Sequence, residues 1–486
     1  MTVNLSLSNL KDLPEMVAGP SYDRSDLSAG ILHIGVGNFH RAHQAVYLDK
    51  LFNTGRDLDW AIIGAGIKRF DADRRTLLQQ QDWLTTVVEL DPKGYSARVT
   101  GAMIDFLEVD GEALINQLAN PAIRIVSLTI TEGGYFMDAT GGFDATHPEI
   151  VTDAANPETP HTVFGLLLAG LKLRRSLGHA PFTILSCDNL PENGLVTRQS
   201  VEGLAALISA DLQDWVAENV AFPNSMVDCI TPATSPREIA MVREKFGIDD
   251  AAPVVCEPFR QWVMEDNFPQ GRPALENVGV EFVDDVAPYE TMKLRILNAG
   301  HAAIAYPGAL LGHEYVHEAM ADPDIAAWLV QLIRREVIPV LSPIPGVSFD
   351  AYLETCVKRF ANPAIGDTIA RLCQDGSNRQ PKFVLPTIDT ALANGKSIDG
   401  LALELALWCR YCAQPNLTLD DARSEQLAAA AKASENDPTA FLNISDIFGD
   451  LATNDRFAGS FARQVGLLWA QSPRKVLQGF ADIVAA

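Results

Sequence analysis

The sequence has no long hydrophobic run. No window of its 486 residues reaches about 18 uninterrupted apolar residues, the length that a transmembrane helix needs. The segment from Met1 to Glu15 carries polar side chains throughout, so it offers no apolar core for a secretory signal peptide. The sequence therefore predicts a cytoplasmic protein that neither spans a membrane nor is exported.

Basic residues and cysteines are scarce as well. Lysine and arginine number 38 against 62 aspartates and glutamates, which gives a formal net charge of −24. This surplus argues against binding to nucleic-acid phosphates or anionic lipids, although a helix N-terminus can still hold the phosphate of a small cofactor. The seven cysteines are odd in number and not closely spaced, so we expect no disulfide scaffold.

The first part of the chain alternates short apolar runs with helical patterns, such as those at 42–53 and 163–177. The predicted strands are 31–36, 60–67, 123–130, 182–186 and 278–283. Strands separated by helix-length connections are typical of a parallel sheet with helices packed on it. We therefore predict an α/β domain over residues 1–285.

The pattern changes near Asp285. The later segments with helical spacing are 297–311, 326–340, 365–373, 401–412 and 425–433. Breaks that contain proline, such as 341–347, separate them. We predict a mainly α-helical domain over residues 286–486, with a ligand site between the two domains.

A glycine-rich turn joins the first strand to the following helix. The segment reads Ile-Leu-His-Ile-Gly35-Val-Gly37-Asn38-Phe39-His40. Gly35 allows a tight turn, Gly37 lets the backbone approach a pyrophosphate, and the helix N-terminus presents free N–H groups. The usual third glycine is replaced by His40, so a plain strand-to-helix turn is the alternative. The context favours a dinucleotide site.

An acidic residue near the end of the second strand usually binds the ribose hydroxyls of such a cofactor. Asp71 lies a few residues beyond the predicted strand and is the candidate here. Lys68 and Arg69 are close enough in sequence to attract the 2′-phosphate of NADP instead. The balance favours NAD.

The segment from His313 to His317 matches the HExxH pattern, which on a helix places two imidazoles on one face to bind zinc. Glu336 is a candidate third ligand, so a zinc peptidase is an alternative function. Glu336 follows two arginines, however, which is typical of a solvated helix face. We favour surface histidines on a polar helix and predict no metal.

We also predict that Cys409 and Cys412, three residues apart, are core residues of an apolar helix.

Lys293, Asn298 and His301 share one segment of the second domain. On an α-helix, Asn298 and His301 lie at about 140° and about 80° from Lys293, so all three fit one side. Oxidation of an alcohol without a metal needs a base and a donor that steadies the oxygen. Lys293 fits the base and Asn298 the donor, while His301 can orient a second hydroxyl. An exposed lysine, a capping asparagine and a core histidine are the alternatives.

Asn189 is a candidate for a second amide donor. It follows Asp188 directly after an apolar strand, where open α/β sheets place their ligands. An ordinary turn is the alternative, because Asp and Asn favour turns.

Together these motifs resemble the polyol-specific long-chain dehydrogenase family over nearly the whole chain. The matching segments are 34–43, 127–135, 186–191, 222–228 and 293–301. The resemblance implies a Rossmann-type N-terminal domain and a largely helical C-terminal domain. It further implies zinc-independent oxidation of a polyol at C2 with NAD, as in the conversion of D-mannitol to D-fructose.

The resemblance also implies roles for single residues. Lys293 matches the general base, and Glu290 matches an acid that relays the proton between this lysine and water. Asn189 and Asn298 match the pair that holds the substrate oxygen, and Asp71 matches the acidic cofactor determinant. The residues at polyol-binding positions are His301, Asp228, Arg371 and Arg379.

The chain departs from the family pattern at three positions. Cys229 stands where arginine is usual, Arg379 where lysine is usual, and Phe70 where an acidic residue flanks the cofactor determinant. A planar guanidinium does not bind ligands in the same way as an ammonium group. These changes therefore leave the preferred substrate undecided. A hexuronate reductase acting on fructuronate or tagaturonate, an arabinitol or sorbitol dehydrogenase, and a non-catalytic nucleotide-binding regulator are the alternatives. By analogy with relatives, the chain is expected to be a monomer.

Overall fold

The computed structural model describes residues 2–138 and 141–482 of the chain. The chain divides into two compact units, Met1–Ala287 and Pro288–Ala486. The described strands are β1 (Val3–Asn4), β2 (Val17–Ala18), β3 (Ala29–Ile34), β4 (Ala61–Ala65), β5 (Thr85–Glu89), β6 (Ser96–Thr100), β7 (Met103–Phe106), β8 (Ile125–Leu128), β9 (Thr183–Ser186), β10 (Ser225–Asp228), β11 (Ile248–Asp249), β12 (Val254–Cys256), β13 (Gln261–Glu265) and β14 (Glu281–Val283).

Helices follow in both units. The helices up to residue 246 are α1 (Asn38–Ala42), α2 (Gln44–Phe52), α3 (Arg69–Gln79), α4 (Gly111–Ala119), α5 (Pro148–Ala155), α6 (Val163–Ser176), α7 (Asn193–Ile208), α8 (Ala210–Asn219) and α9 (Pro236–Phe246). The later helices are α10 (Ala287–Met292), α11 (Ala299–Leu311), α12 (Val316–Ala321), α13 (Pro323–Leu332), α14 (Phe349–Phe360), α15 (Ile369–Cys373), α16 (Gly376–Phe383), α17 (Leu385–Ala393), α18 (Asp399–Cys412), α19 (Ser424–Ala433), α20 (Ser445–Phe448), α21 (Asp455–Ala470) and α22 (Pro473–Asp482).

Short helical segments of other types complete the secondary structure. The 3₁₀ segments are Leu7–Asp12, Arg24–Asp26, Leu58–Trp60, Glu132–Tyr135, Leu275–Val278, Ile338–Val340, Pro363–Ile365, Ala440–Asn443 and Gly449–Thr453. The π-helical segments are Lys293–Asn298 and Ile333–Val337.

The main sheet of the first unit has the strand order β7-β4-β3-β8-β9, and all of its pairs are parallel. Helices cover both faces of parallel sheets of this kind, which is why β4, β8 and β9 are buried along their whole length. From β3 the chain builds outward through β4 and β7, and then returns to the other side of β3 with β8. The carboxyl ends of β3 and β8 therefore flank the switch point at which open α/β sheets bind ligands. This Rossmann-type arrangement confirms the predicted fold class of the first unit.

Three smaller sheets were not predicted from the sequence. Their strand orders are β12-β5-β6-β2, β10-β13-β14 and β1-β11. Pairing in them joins distant parts of the chain; Val254, for example, pairs with Val87. A local pattern of apolar residues contains no information about such partners.

The second unit is built from helices, as predicted. The predicted helix 326–340 is divided: α13 ends at Leu332, a π-helical segment follows, and a 3₁₀ turn containing Pro339 completes it. Glu336 lies in the π-helical segment and is buried. Its carboxylate accepts hydrogen bonds from Ser397 Oγ at 2.6 Å and Leu401 N at 2.8 Å, so it caps the start of α18. The prediction that Glu336 lies on a solvated face was therefore wrong.

The core of the second unit is apolar apart from a few buried polar groups. Cys409 and Cys412 are buried on α18, as predicted, and all seven thiols of the chain are free. Within residues 2–138 and 141–482, no helix is both long enough and apolar enough to cross a membrane.

Glu404 is one of the buried acids of this core. It is 1% exposed on α18, and its Oε1 atom accepts a hydrogen bond from Gln380 Nε2 at 2.8 Å. Its Oε2 atom has no hydrogen-bond partner among the described residues. Burial raises the pKa of Glu404 from 4.5 to about 8, because the charged form loses its hydration. The carboxyl group is therefore protonated in the folded protein at neutral pH.

This protonation makes the stability of the protein depend on pH. Between pH 4.5 and about 8, the unfolded chain has lost the proton that the folded chain keeps, so the free energy of unfolding falls as pH rises. Above that window the loss is complete, at up to about 5 kcal/mol. We expect Glu404→Gln to match the parent at pH 4.5 and to be the more stable protein at pH 8. Urea unfolding at both pH values measures the difference, with the exposed Glu425→Gln as control. Equal pH dependence in the parent and Glu404→Gln would contradict the protonation assigned to Glu404.

Candidate active site

The glycine turn follows β3 as predicted. Gly35 has φ +101°, a conformation that favours glycine, and its N–H donates to Ala65 O at the end of β4. A Cβ atom at this position would lie 2.1 Å from Thr129 O, just beyond β8. The chain can thus leave the sheet here only with glycine, which is why β3 ends at Ile34.

Gly37 is a glycine for a different reason. A Cβ atom added to it would meet only Gly35 O, at 3.8 Å, so the protein itself leaves room for a side chain. Gly37 is the N-cap residue of α1, with no side chain capping that end. An open backbone before a helix N-terminus fits the approach of a pyrophosphate.

His40, which replaces the usual third glycine, is accommodated by His33 on β3. The two buried rings stack with their centroids 3.5 Å apart. His33 Nδ1 lies 2.8 Å from Ser127 Oγ, and its Nε2 lies 3.0 Å from Thr129 Oγ1. Burial lowers the pKa of His33 to about 3 and also lowers that of His40, so both rings are neutral at physiological pH. The stack replaces the close helix–strand contact that a glycine permits.

Sequence reasoning missed Arg41, which lies behind this turn and is 1% exposed. Its guanidinium donates to Gly37 O at 3.2 Å, to Asn38 Oδ1 at 2.7 Å and to Ala252 O. Burial lowers the pKa of Arg41 to about 9. An arginine on a short helix usually points to solvent, so the sequence carried no signal for this arrangement.

Asn38 and Phe39, two predicted cofactor residues, face the rest of the first unit. Asn38 Nδ2 donates to Thr234 Oγ1 at 3.1 Å, which ties the turn to the segment after β10. Phe39 stacks on His43 and packs against a cluster that contains Cys229 and Cys256. At Cys229, one of the departures from the family pattern, a small apolar thiol therefore lies under the turn.

Asp71 is late in the sequence but lies next to the end of β4. Its Oδ2 atom accepts hydrogen bonds from Ile67 N at 3.0 Å and Lys68 N at 2.8 Å. A Cβ atom on Gly66 would lie 2.4 Å from Asp71 Cγ, so the carboxylate folds back over the glycine that follows the strand. Since β4 adjoins β3, this is the edge at which a ribose is expected. Phe70 beside it is 69% exposed.

The strand ends beyond β3 carry the remaining candidates of the first unit. Asn189 is exposed just after β9, next to the buried Asp188. Asp228 is buried as the last residue of β10, in a different sheet from β9.

In the second unit, Lys293 and Asn298 begin and end a π-helical segment between α10 and α11. The α-helical spacing assumed from the sequence does not apply there, because hydrogen bonds five residues apart widen the turn and bring residues five apart closer to one face. Lys293 is 8% exposed, so the alternative of an exposed lysine was wrong. Glu290 is buried one turn earlier on α10. His301 follows on α11, with its ring 4.5 Å from that of Phe360.

The polar side chains of this segment differ in their hydrogen bonding. The Oδ1 atom of Asn298 is buried without a hydrogen-bond partner among the described residues. Arg295 donates to Lys382 O at 2.5 Å and Phe383 O at 3.1 Å, which ties the π-helical segment to the end of α16. A buried amide oxygen of this kind can accept a hydrogen bond from a substrate hydroxyl.

Arg371 and Arg379, the predicted polyol-binding cations, lie next to each other in the second unit. Arg379 Nη1 donates to Arg371 O at 3.2 Å and Leu372 O at 3.1 Å, so it caps the end of α15. The guanidinium of Arg371 forms a two-pronged ion pair with Asp367. This pair compensates the charge of Arg371.

The HExxH segment does not form the helix that the zinc alternative requires. α11 ends before it with Gly312 as the C-cap, and α12 begins only at Val316. His313 therefore precedes the helix that contains His317, and its Nε2 lies 3.2 Å from Asp322 Oδ2. Our own prediction of two surface histidines on one helix was wrong for the same reason. In the described ranges 2–138 and 141–482, no three His, Cys, Asp or Glu side chains are grouped to hold a metal ion.

Comparison with known families agrees with these arrangements. A model of the mannitol dehydrogenase Rossmann domain matches residues 29–277, and a model of the mannitol dehydrogenase C-terminal domain matches residues 285–469. The chain belongs to the mannitol dehydrogenase family. The resemblance inferred from the motifs is thereby confirmed.

Individual relatives of the family match the chain over almost its full length. The mannitol 2-dehydrogenase of Cereibacter sphaeroides is 53% identical over 475 residues, which are 96% of this chain and 98% of that protein. The Pseudomonas fluorescens mannitol 2-dehydrogenase, solved as a ternary complex with NAD and D-mannitol, is 44% identical with a TM-score of 0.84 and 99% of both chains covered. A substrate-free D-sorbitol dehydrogenase is 34% identical with a TM-score of 0.91, covering 97% of this chain and 99% of that one.

We expect different outcomes when alanine replaces each of the two glycines of this turn. Gly37→Ala should fold normally. It should bind NADH at least tenfold more weakly if the open space at this turn receives the pyrophosphate, because its methyl group would enter that space. Gly35→Ala should instead lower the melting temperature, since its Cβ would meet Thr129 O at 2.1 Å. NADH titration and thermal unfolding of both variants separate these effects. Unchanged NADH affinity in Gly37→Ala would place the pyrophosphate elsewhere.

Proposed function

We propose that this chain is an NAD-dependent polyol dehydrogenase that oxidises D-mannitol at C2 to D-fructose and catalyses the reverse reduction. The observation that carries the proposal is the π-helical segment that runs from the buried Lys293 to Asn298, in a family chain that also has the open turn at Gly37. The Pseudomonas relative, which matches along 99% of both chains, was solved with NAD and D-mannitol bound.

The first unit supplies the cofactor site. Gly35 and Gly37 shape the turn, the α1 N-terminus receives the pyrophosphate, and the buried charge of Arg41 adds positive potential behind it. Asp71 at the end of β4 binds the ribose hydroxyls and gives the preference for NAD. NAD, when bound, supplies the chemistry of accepting a hydride from C2.

The second unit supplies the base. Lys293 removes the proton of the C2 hydroxyl, and its burial keeps water from competing for that proton. Glu290, one turn earlier, passes the proton between Lys293 and water. Asn298 and Asn189 donate amide N–H groups to the substrate oxygen as its negative charge develops. His301, Asp228, Arg371 and Arg379 bind the other hydroxyls.

The charge balance favours a neutral polyol over a hexuronate. A substrate carboxylate would need an uncompensated cation, and the charge of Arg371 is already compensated by Asp367. D-sorbitol is the second candidate substrate, because the D-sorbitol dehydrogenase superimposes with a TM-score of 0.91.

From the sequence we also propose that the protein is located in the cytoplasm and that it is a monomer.

Substrate assays test the function directly. The purified chain with NADH should reduce D-fructose at a rate that a chelator does not change, and with NAD it should oxidise D-mannitol faster than D-sorbitol. NADH absorbance follows each reaction. Turnover of D-fructuronate alone would refute the polyol assignment while keeping the fold, and loss of activity with the chelator would refute the metal-free mechanism.

Replacing Lys293 tests the base. Lys293→Ala should lower kcat by a factor of about 100 or more, since general base catalysis typically contributes at least that much. NADH binding should persist, because the dinucleotide turn lies in the first unit. The exposed Lys432→Ala on α19 is the matched control and should retain the parent rate. A near-normal kcat for Lys293→Ala would rule out Lys293 as the base.

A further inference from the structure

The segment after β8 has a strained backbone. Thr131 has φ +66° and ψ 161°, and Phe136 at the other end of the 3₁₀ turn Glu132–Tyr135 has φ +52°. Positive φ favours glycine, and a β-branched residue such as threonine adopts it rarely. Such a conformation persists only where neighbouring groups hold it.

The group that holds this segment is the carboxylate of Asp188. Its Oδ2 accepts a hydrogen bond from Ile130 N and its Oδ1 one from Thr131 N, both at 2.9 Å. Tyr135, which is fully buried, donates its hydroxyl to Asp188 Oδ2 at 2.6 Å and lies 2.6 Å from Ser186 Oγ. Two adjacent N–H groups and a phenol therefore converge on one buried carboxylate, which an amide with a single acceptor oxygen cannot replace.

The backbone of Asp188 is held as firmly as its side chain. Its carbonyl oxygen accepts hydrogen bonds from Leu190 N at 2.9 Å and Asn193 Nδ2 at 3.1 Å. These bonds bracket Asn189, the exposed residue between Asp188 and Leu190. The same residue thus fixes the strained segment through its carboxylate and the start of the Asn189 turn through its carbonyl.

The strained segment lies at the switch point of the main sheet. Thr129, just before it, donates its hydroxyl to Gly35 O at 2.6 Å, so the segment begins against the dinucleotide turn. Further along, the segment is hydrogen-bonded to Asp188, which lies beyond β9. The segment therefore spans the sheet edge between the cofactor turn and Asn189.

We propose that Asp188 is a positioning residue for hydride transfer, which holds segment 130–135 in its strained form and so sets Asn189 relative to the dinucleotide turn. The inference rests on the proposed function, because that function gives Asn189 its role at the substrate oxygen. Asp188 itself need not touch the substrate or the cofactor.

Asp153 offers a closely matched control. Its carboxylate is also buried and accepts hydrogen bonds from two adjacent N–H groups and a hydroxyl: His161 N and Thr162 N at 2.9 Å, and Thr162 Oγ1 at 2.6 Å. These bonds lie at the start of α6, whereas those of Asp188 follow a strand of the main sheet. Asp188→Asn and Asp153→Asn therefore each replace one acceptor oxygen of an equivalent set of bonds, at two different places.

The test compares kcat for D-mannitol oxidation, NADH affinity and melting temperature in the two variants. We expect both melting temperatures to fall, but only Asp188→Asn to lose kcat, by about tenfold or more, because a small misplacement of reacting groups is enough for such a loss. Its NADH affinity should change less than its kcat. Turnover by the parent and by Asp153→Asn reports the proposed function separately. Equal kcat in the two variants would overturn the inference without affecting that function.

A second pair of variants tests the strain. In the Asp188→Asn background, Thr131→Gly should restore part of kcat, because glycine adopts φ +66° without the help of the carboxylate. Thr131→Ala in the same background removes the same hydroxyl but keeps a Cβ, so it should not restore kcat. Equal kcat for the glycine and alanine double variants would show that Asp188 does not act through the backbone of Thr131.

Discussion

The close approach of Gly35 to Thr129 is the constraint on which the cofactor half of this protein depends. With Thr129 O at 2.1 Å from the position of a Cβ, the chain after β3 turns out of the sheet at φ +101° and enters α1 at Gly37. This turn brings the α1 N-terminus to the carboxyl edge of the sheet. A hydrogen bond from Thr129 Oγ1 to Gly35 O also holds the start of the segment after β8 beside the glycine turn.

Buried polar groups then keep that edge rigid. The His33–His40 stack, the Arg41 guanidinium and the Asp188 carboxylate each lie under one of the loops at the strand ends. In a medium of low polarity each hydrogen bond is strong, and a missing partner is costly, so such networks favour one arrangement of the loops. If the cofactor binds at this edge, as we propose, a backbone already held in place reduces the ordering cost of binding.

The main irregular feature near the candidate base in the second unit is a π-helical turn between α10 and α11. An α-helix would place Asn298 about 140° around the axis from Lys293, whereas the wider turn brings the two closer to one face. Arg295 within the turn is bonded to the end of α16, so a neighbouring helix supports the irregular segment. The proposed base and amide donor therefore lie at the two ends of a π-helical segment that is hydrogen-bonded to α16.

The sequence alone determined the features that depend on near neighbours in the chain: the alternation of strands and helices in the first half, the glycine turn at Gly35 and the helical second half. Local periodicity and the chemistry of single residues suffice for these. The segment from Lys293 to His301 was expected to be an α-helix throughout, and its first part is π-helical. The tertiary structure decided the rest. Gly312 ends α11 before His313, which separates the two histidines of the HExxH pattern, and Glu336 is buried because it caps α18 from 65 residues away. The carboxylate of Asp188 accepts a hydrogen bond from Thr131 N, 57 residues earlier in the chain. The guanidinium of Arg41 donates to Ala252 O, 211 residues later. Burial and hydrogen-bond partners of this kind depend on which distant segments pack together, and no local pattern of residues records that.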